Sequence, residues 1–181
     1  MKLIKKCLPI LILIISSLFA QNNYPIVLVH GFVGWGPEEM VGYQYWGGFW
    51  DIEEYLEEQG FTVITVSIGP VSSNWERAVE IYYQLKGGHV DYGKNHADKF
   101  EIIQKPEGKT FSGLYTDWDS EHPVHLLGHS MGGQTVRMLD YLLENSFFTD
   151  SLETQYEESE LLGKSYSGYI KSITTISSPH N

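Results

Sequence analysis

The run Gly128-His129-Ser130-Met131-Gly132 follows the apolar stretch Val124–Leu127 and precedes a helix-like run from Gly133 to Glu144. A strand, a sharp turn and a helix leave the hydroxyl at the turn standing proud of the sheet edge. Glycines two before and two after remove the side chains that would block so tight a bend. The chemistry this placement suits is acyl transfer through a serine nucleophile. The bland alternative is a glycine turn that holds a serine by chance.

A nucleophilic serine needs N–H donors for the oxyanion that forms on the attacked carbonyl. One is the backbone N–H of the next residue, Met131, at a helix N-terminus where the dipole favours negative charge. The second comes from the loop after the first strand, His30-Gly31-Phe32, and is assigned to the Phe32 N–H. The alternative is that His30-Gly31 merely turns the chain. Serine also needs a base, and an acid to orient that base. In this architecture both follow the nucleophile in the chain. Only His180 lies downstream of Ser130, with no acid placed to orient it. His30, His89, His96, His122 and His125 would break the order, and His129 adjoins the nucleophile on the tight turn. No base is therefore assigned.

The elements that must position these groups alternate. Strands are expected at Pro25–His30, Phe61–Ile68, Val124–Leu127 and Ile170–Ser177. The first is apolar throughout, as in a strand covered on both faces. Helices are expected at Asp51–Gln59, with Ile52, Tyr55 and Leu56 inward; at Ser73–Lys86, with Ala78, Ile81, Tyr82 and Leu85 inward; and after Ser130, with Val136, Leu139, Leu142 and Leu143 inward and Asn145 as the cap. This alternation predicts an α/β fold, a mostly parallel sheet flanked by helices. The acidic stretch 146–164 reads as a surface excursion. The seven aromatics Phe32, Trp35, Tyr43, Tyr45, Trp46, Phe49 and Trp50 could line an acyl groove or pack beneath a long loop. Phe32 and Trp35 are the two expected near the site. Asp91, Tyr92 and His89 read as structural loop residues.

Met1–Ala20 reads as a secretory signal peptide: three lysines, an apolar run from Leu8 to Ile15, then small residues. The apolar run is short for a membrane span. Setting this leader aside takes the net charge from −11 to −14 and removes Cys7, the sole cysteine. No disulfide is then possible, and nucleic acid is an improbable partner for so acidic a chain. Residues 21–181 are expected to be the N-terminal part of one longer domain, because the chain stops directly after a strand.

Several blocks are more specific than a serine elbow. They are Tyr24-Pro25-Ile26-Val27-Leu28-Val29-His30-Gly31-Phe32, Tyr45-Trp46-Gly47-Gly48, Ser72-Ser73-Asn74-Trp75, Gly87-Gly88 with Val90-Asp91-Tyr92-Gly93, and Gly128–Thr135. In this order they resemble the secreted triacylglycerol lipases of the staphylococcal and Geobacillus type. The resemblance implies an α/β-hydrolase fold with a lid, secretion, and hydrolysis of acylglycerol esters at a lipid–water interface, with no integral membrane span in the mature chain. It implies that the catalytic acid and base follow in a C-terminal part absent from this chain.

It also implies a structural zinc site. Its first two positions fall on Glu76 and His96, but its third falls on Ile102, which cannot bind metal, and its fourth lies beyond Asn181. Glu76 has a second reading, since Ser73-Asn74-Trp75-Glu76 fits a capping box. The family's calcium site is also C-terminal and is not visible here. No cofactor is expected for catalysis. The expectation is thus a serine ester hydrolase of lipase type. The alternative is a truncated, non-catalytic chain that keeps a lipid- or partner-binding surface. Peptidase or thioesterase chemistry on the same fold is disfavoured by the family-specific blocks.

Overall fold

A computed structural model describes residues 23–147 and 159–180. The leader Met1–Ala20 and the middle of the acidic stretch lie outside the described residues. The elements in chain order are β1 (Ile26–Val29), α1 (Ile52–Glu58), β2 (Val63–Thr65), α2 (Asn74–Lys86), β3 (Gly88–His89), α3 (Lys94–Phe100), β4 (Thr110–Phe111), β5 (Val124–His129), α4 (Met131–Glu144) and β6 (Ile170–Ile176). β1, β2, β5 and β6 form one parallel sheet in the order β2-β1-β5-β6, so the α/β expectation holds. β3 and β4 make a separate antiparallel pair.

Strand β1 is Ile-Val-Leu-Val, and Val27, Leu28 and Val29 are all buried, so both of its faces are covered. Helix α2 starts on a complete capping box. Ser73 Oγ accepts from the Glu76 N–H, and the Glu76 carboxylate accepts from the Ser73 N–H. The helix is buried on every side from Arg77 to Leu85. Ala78, Ile81, Tyr82 and Leu85 point inward as expected, but Val79 and Tyr83 are apolar on the other faces too. A helix that is apolar all round goes inside. Helix α4 buries Val136, Leu139, Leu142 and Leu143, and Asn145 ends it by donating from its side chain to the Tyr141 carbonyl at 2.8 Å.

Two expectations fail. No residue of α1 is buried, and Ile52 and Tyr55 are exposed. The chain steps from β1 outward to β2, then back over to β5 and on to β6. Right-handed crossovers in opposite directions put α1 on one face of the sheet and α2 and α4 on the other. Helix α1 thus meets only the short strand β2 and no helix among the described residues. The acidic stretch is also no mere surface excursion at its described end, where Leu161 and Leu162 enter the core. Two apolar residues in a polar run are enough to anchor it.

The reversal of direction has a consequence for function. From β1 the chain leaves to one side, and from β5 to the other, and these two strands are neighbours. Open parallel sheets bind ligands outside the carboxyl ends of strands at such a switch point. The loops leaving β1 and β5 are those that begin at His30 and at Ser130.

Candidate active site

Val29 lies opposite Gly128 in the β1–β5 ladder, so the two chains leave the sheet side by side. Ser130 takes φ 54°, ψ −123°, a left-handed conformation that costs a residue with a side chain on the order of 1–3 kcal/mol. The surrounding glycines are required. A Cβ on Gly132 would sit 2.3 Å from the Val29 carbonyl oxygen, and one on Gly128 would sit 2.5 Å from the Gly132 backbone. These clashes are backbone against backbone, so no side-chain rotation relieves them. The −2 and +2 glycines let β5 turn straight into α4 against β1.

Gly31 closes the arrangement. A Cβ there would lie 2.9 Å from Ser130 Cβ, 2.9 Å from the His129 carbonyl oxygen and 2.9 Å from the Tyr45 hydroxyl. The residue just before Phe32 therefore rests on the serine. Neither the Phe32 nor the Met131 N–H donates to a backbone group among the described residues. Phe32 is exposed, and Ser130 is half-buried at the mouth of the turn.

The loop is held from below by charge. Arg77, with no exposed surface, donates from Nη2 to the His30 carbonyl, from Nη1 to the Gly69 carbonyl at 2.7 Å and from Nε to Thr135 Oγ1 at 3.0 Å. One guanidinium thus ties the loops after β1 and β2 to α4. Burial lowers its pKa to about 10, which leaves it charged at neutral pH. Glu80 takes the other side of the same glycine, accepting from the Gly69 N–H at 2.8 Å. Glu39 accepts from the Gly36 N–H and from Ser67 Oγ, each at 2.6 Å, and links the β1 loop to the segment after β2. Burial alone would raise its pKa, but these two hydrogen bonds outweigh it and hold the carboxyl low. The His30 ring is fully buried between the Gly31 carbonyl at 2.9 Å and Ile68. Burial pushes its pKa down.

Trp35, Tyr43, Tyr45, Trp46 and His129 line a cleft of about 300 Å³ beside the turn. None of the seven aromatics is buried, so the reading of core packing beneath a loop does not hold. Phe49 and Trp50 point into solvent. Trp35 is pinned by its Nε1–H on the Tyr43 carbonyl at 2.8 Å.

No histidine among the described residues reaches the Ser130 hydroxyl. His129 bonds Tyr45, His96 bonds Glu76, His89 bonds Thr110, His122 bonds Asp119, His125 bonds Ser172 and His180 bonds Thr175. Asp91 and Tyr92 are buried loop residues, Asp91 accepting from the Gly93 N–H at 2.9 Å.

Glu76 and His96 do meet, at 3.1 Å, with the His96 ring stacked on Trp75 at 4.8 Å. Burial would raise the Glu76 pKa, but hydrogen bonds from His96 and Ser73 outweigh it and hold the carboxyl low. His96 also lines a cavity of about 530 Å³ whose lining does not include Ser130. Ile102 packs against the core, and no group of three or more His, Cys, Asp or Glu that could hold a metal forms among the described residues. Among the described residues this leaves Glu76 and His96 as two donors, paired with each other and with Ser73.

Residues 22–181 match the family model described as lipase-like, C-terminal domain. The chain belongs to this family. Its lipase-like relatives include the lipase of Staphylococcus hyicus, 42% identical over 169 residues, and lipase 1 of Staphylococcus aureus strain NCTC 8325, 44% identical over 170. Each alignment covers 89% of this chain but only 26% and 24% of those proteins, so the chain spans about a quarter of the length of the curated relatives it matches. The crystal structure of the S. hyicus lipase superposes with a TM-score of 0.82, covering 89% of this chain and 42% of that one. EstA from Clostridium botulinum superposes at 0.79 with 45% identity, covering 87% and 36%.

Pattern reading missed Arg77, Glu39 and the links from Tyr45 to Gly31 and His129. A signal for Arg77 was present. A helix apolar on all faces leaves Arg77, Glu80 and Gln84 nowhere to go but inside. No local pattern marks Tyr45, whose partners lie 14 and 84 positions away.

Proposed function

We propose that this chain is the nucleophile-bearing part of a secreted serine ester hydrolase that cleaves acylglycerols at a lipid–water interface. The observation that carries the reading is Ser130 in a left-handed bend at the switch point, with Gly31 against its side chain. The Ser130 oxygen attacks the ester carbonyl and gives up its proton to a base. The oxyanion is received by the N–H groups of Phe32 and Met131. The alcohol leaves with that proton, and water then hydrolyses the acyl-enzyme. The base and its orienting acid are supplied from beyond Asn181. Two facts support this: no described histidine reaches Ser130, and the matched relatives are about four times longer. The aromatic cleft containing Trp35 receives acyl chain. No step passes through a metal. Among the described residues no helix is long and apolar enough to cross a membrane.

The test is covalent labelling of the full-length protein by a serine-directed phosphonate. Ser130 should carry the label, and Ser130→Ala should lower turnover by at least roughly ten-thousandfold. Label elsewhere, or none, would remove the catalytic reading and favour a non-catalytic lipid- or partner-binding chain. Turnover of triolein emulsions, soluble p-nitrophenyl esters and peptides decides the substrate class. Equal preference for soluble and emulsified esters would leave an esterase and remove the lipase.

A further inference from the structure

Tyr45 lies on the same β1–α1 connection as Gly31, 14 residues further on, and its hydroxyl touches both segments that carry the proposed chemistry. The Gly31 N–H donates to it at 2.9 Å, and His129 Nδ1 lies 2.5 Å away. Gly31 immediately precedes the Phe32 donor, and His129 immediately precedes the Ser130 nucleophile. One oxygen therefore spans the two segments at the last residue before each functional group. A tyrosine hydroxyl has one proton to give and can accept from an N–H at the same time. With the Gly31 N–H accepted, its own proton is free for His129 Nδ1. The ring is fixed by its neighbours: Trp35 edge-on at 5.4 Å, Trp46 at 5.5 Å and His30 at 5.6 Å between centroids. The missing side chain at Gly31 is what lets the hydroxyl, the His129 carbonyl and Ser130 Cβ crowd one point.

We propose that Tyr45 is a positioning residue, whose hydroxyl bridge from Gly31 to His129 sets the distance between the nucleophile and the Phe32 oxyanion donor. This rests on the serine-nucleophile reading. The Tyr45 ring lines the aromatic cleft, but its hydroxyl is engaged by Gly31 and His129 rather than by Ser130. It acts by holding together the segments that leave β1 and β5, which Arg77 also ties, but further from Ser130, from the His30 carbonyl to Thr135 of α4. Where transition-state charge meets an N–H, a displacement of about 1 Å costs up to roughly a hundredfold in rate. Substrate held in the ground state by apolar contact does not feel the same displacement, so the effect falls on kcat and spares KM.

The experiment compares wild type with Tyr45→Phe in the full-length protein, measuring kcat, KM, phosphonate labelling rate and thermal midpoint. Tyr45→Phe keeps the ring in its aromatic cage and removes only the bridge. The expected result is a fall in kcat of about ten- to a hundredfold, a labelling rate reduced in parallel, and KM within roughly threefold of wild type. His129→Leu removes the same bridge from the other side and carries the same expectation if Tyr45→Phe does not fold. Combining the two should cost little more than either alone, since both delete one link. Unchanged kcat in a folded Tyr45→Phe overturns the proposal. So does a loss confined to KM and thermal midpoint, which would make Tyr45 structural packing. Absence of Ser130 labelling in wild type is a separate outcome that overturns the serine reading beneath it.

Discussion

At the scale of single residues, the site shows two kinds of dependence on its surroundings. Gly31, Gly128 and Gly132 are defined by what they lack, because each would drive a Cβ into its neighbours. The need for Gly128 and Gly132 was legible from the motif, at −2 and +2 about Ser130; that for Gly31 was not, because what crowds it comes from Tyr45 and the His129–Ser130 turn. His30 is defined by burial, which no local pattern reveals. Its neutral ring fits with Nδ1–H donating to the Gly31 carbonyl and Nε2 accepting from the Ile68 N–H at 3.3 Å. Burial, with the Arg77 charge beside it, lowers its pKa against its contacts with the Gly31 and Ile68 backbone and the Glu39 charge. The sign follows by linkage. Below the ordinary histidine value of 6.5 the unfolded chain takes up a proton that the folded chain resists. Stability from His30 is therefore fully present above that value and declines as pH falls from it towards the lowered folded value. Urea midpoints between about pH 8 and 5 should fall more steeply for wild type than for His30→Asn. Equal slopes would remove His30 as the source.

At the scale of elements, α2 carries more than packing. Its first turn is sealed by the Ser73–Glu76 box, and its second presents Arg77 to three other segments. These contributions should differ in size. Ser73→Ala loses one exposed cap, at about 1 kcal/mol. Arg77→Leu leaves the His30 and Gly69 carbonyls and Thr135 without their buried donor, and costs about 3 kcal/mol or more. Urea denaturation of the two variants checks the order, and equal losses would contradict it. The cap was legible in four consecutive residues. The clamp was not, because its acceptors lie 8, 47 and 58 positions away. Helix α1 failed the other way. Its apolar spacing was real, but the crossover rule left it on a face with no helical partner among the described residues.

At the scale of the whole molecule, apolar surface is unevenly distributed. Val41, Phe49, Trp50, Tyr55 and Phe61 are exposed along one continuous length of chain. No residue of β6 is buried, and it stands at the edge of the described sheet. An open parallel edge and many exposed apolar side chains favour association, and a net charge of −11 opposes it. We expect the apolar surface to win, because charge repulsion is screened beyond about 10 Å at ordinary salt while apolar contact is not. Sedimentation velocity of the 181-residue chain should show mass rising with concentration, more so with added salt. A monomer at every concentration with a sharp thermal transition would contradict this.

The sequence by itself determined what short-range sterics and periodicity dictate: the strand–helix alternation, the capping box, the glycine-flanked bend and the serine on it. Each depends on residues within one turn or one strand of each other. Only the tertiary structure decided which segments meet, that one buried arginine ties two loops to a helix, and that the Tyr45 hydroxyl bridges Gly31 and His129. Those contacts join positions far apart in the chain, and sheet order, which no local pattern encodes, is what makes them neighbours.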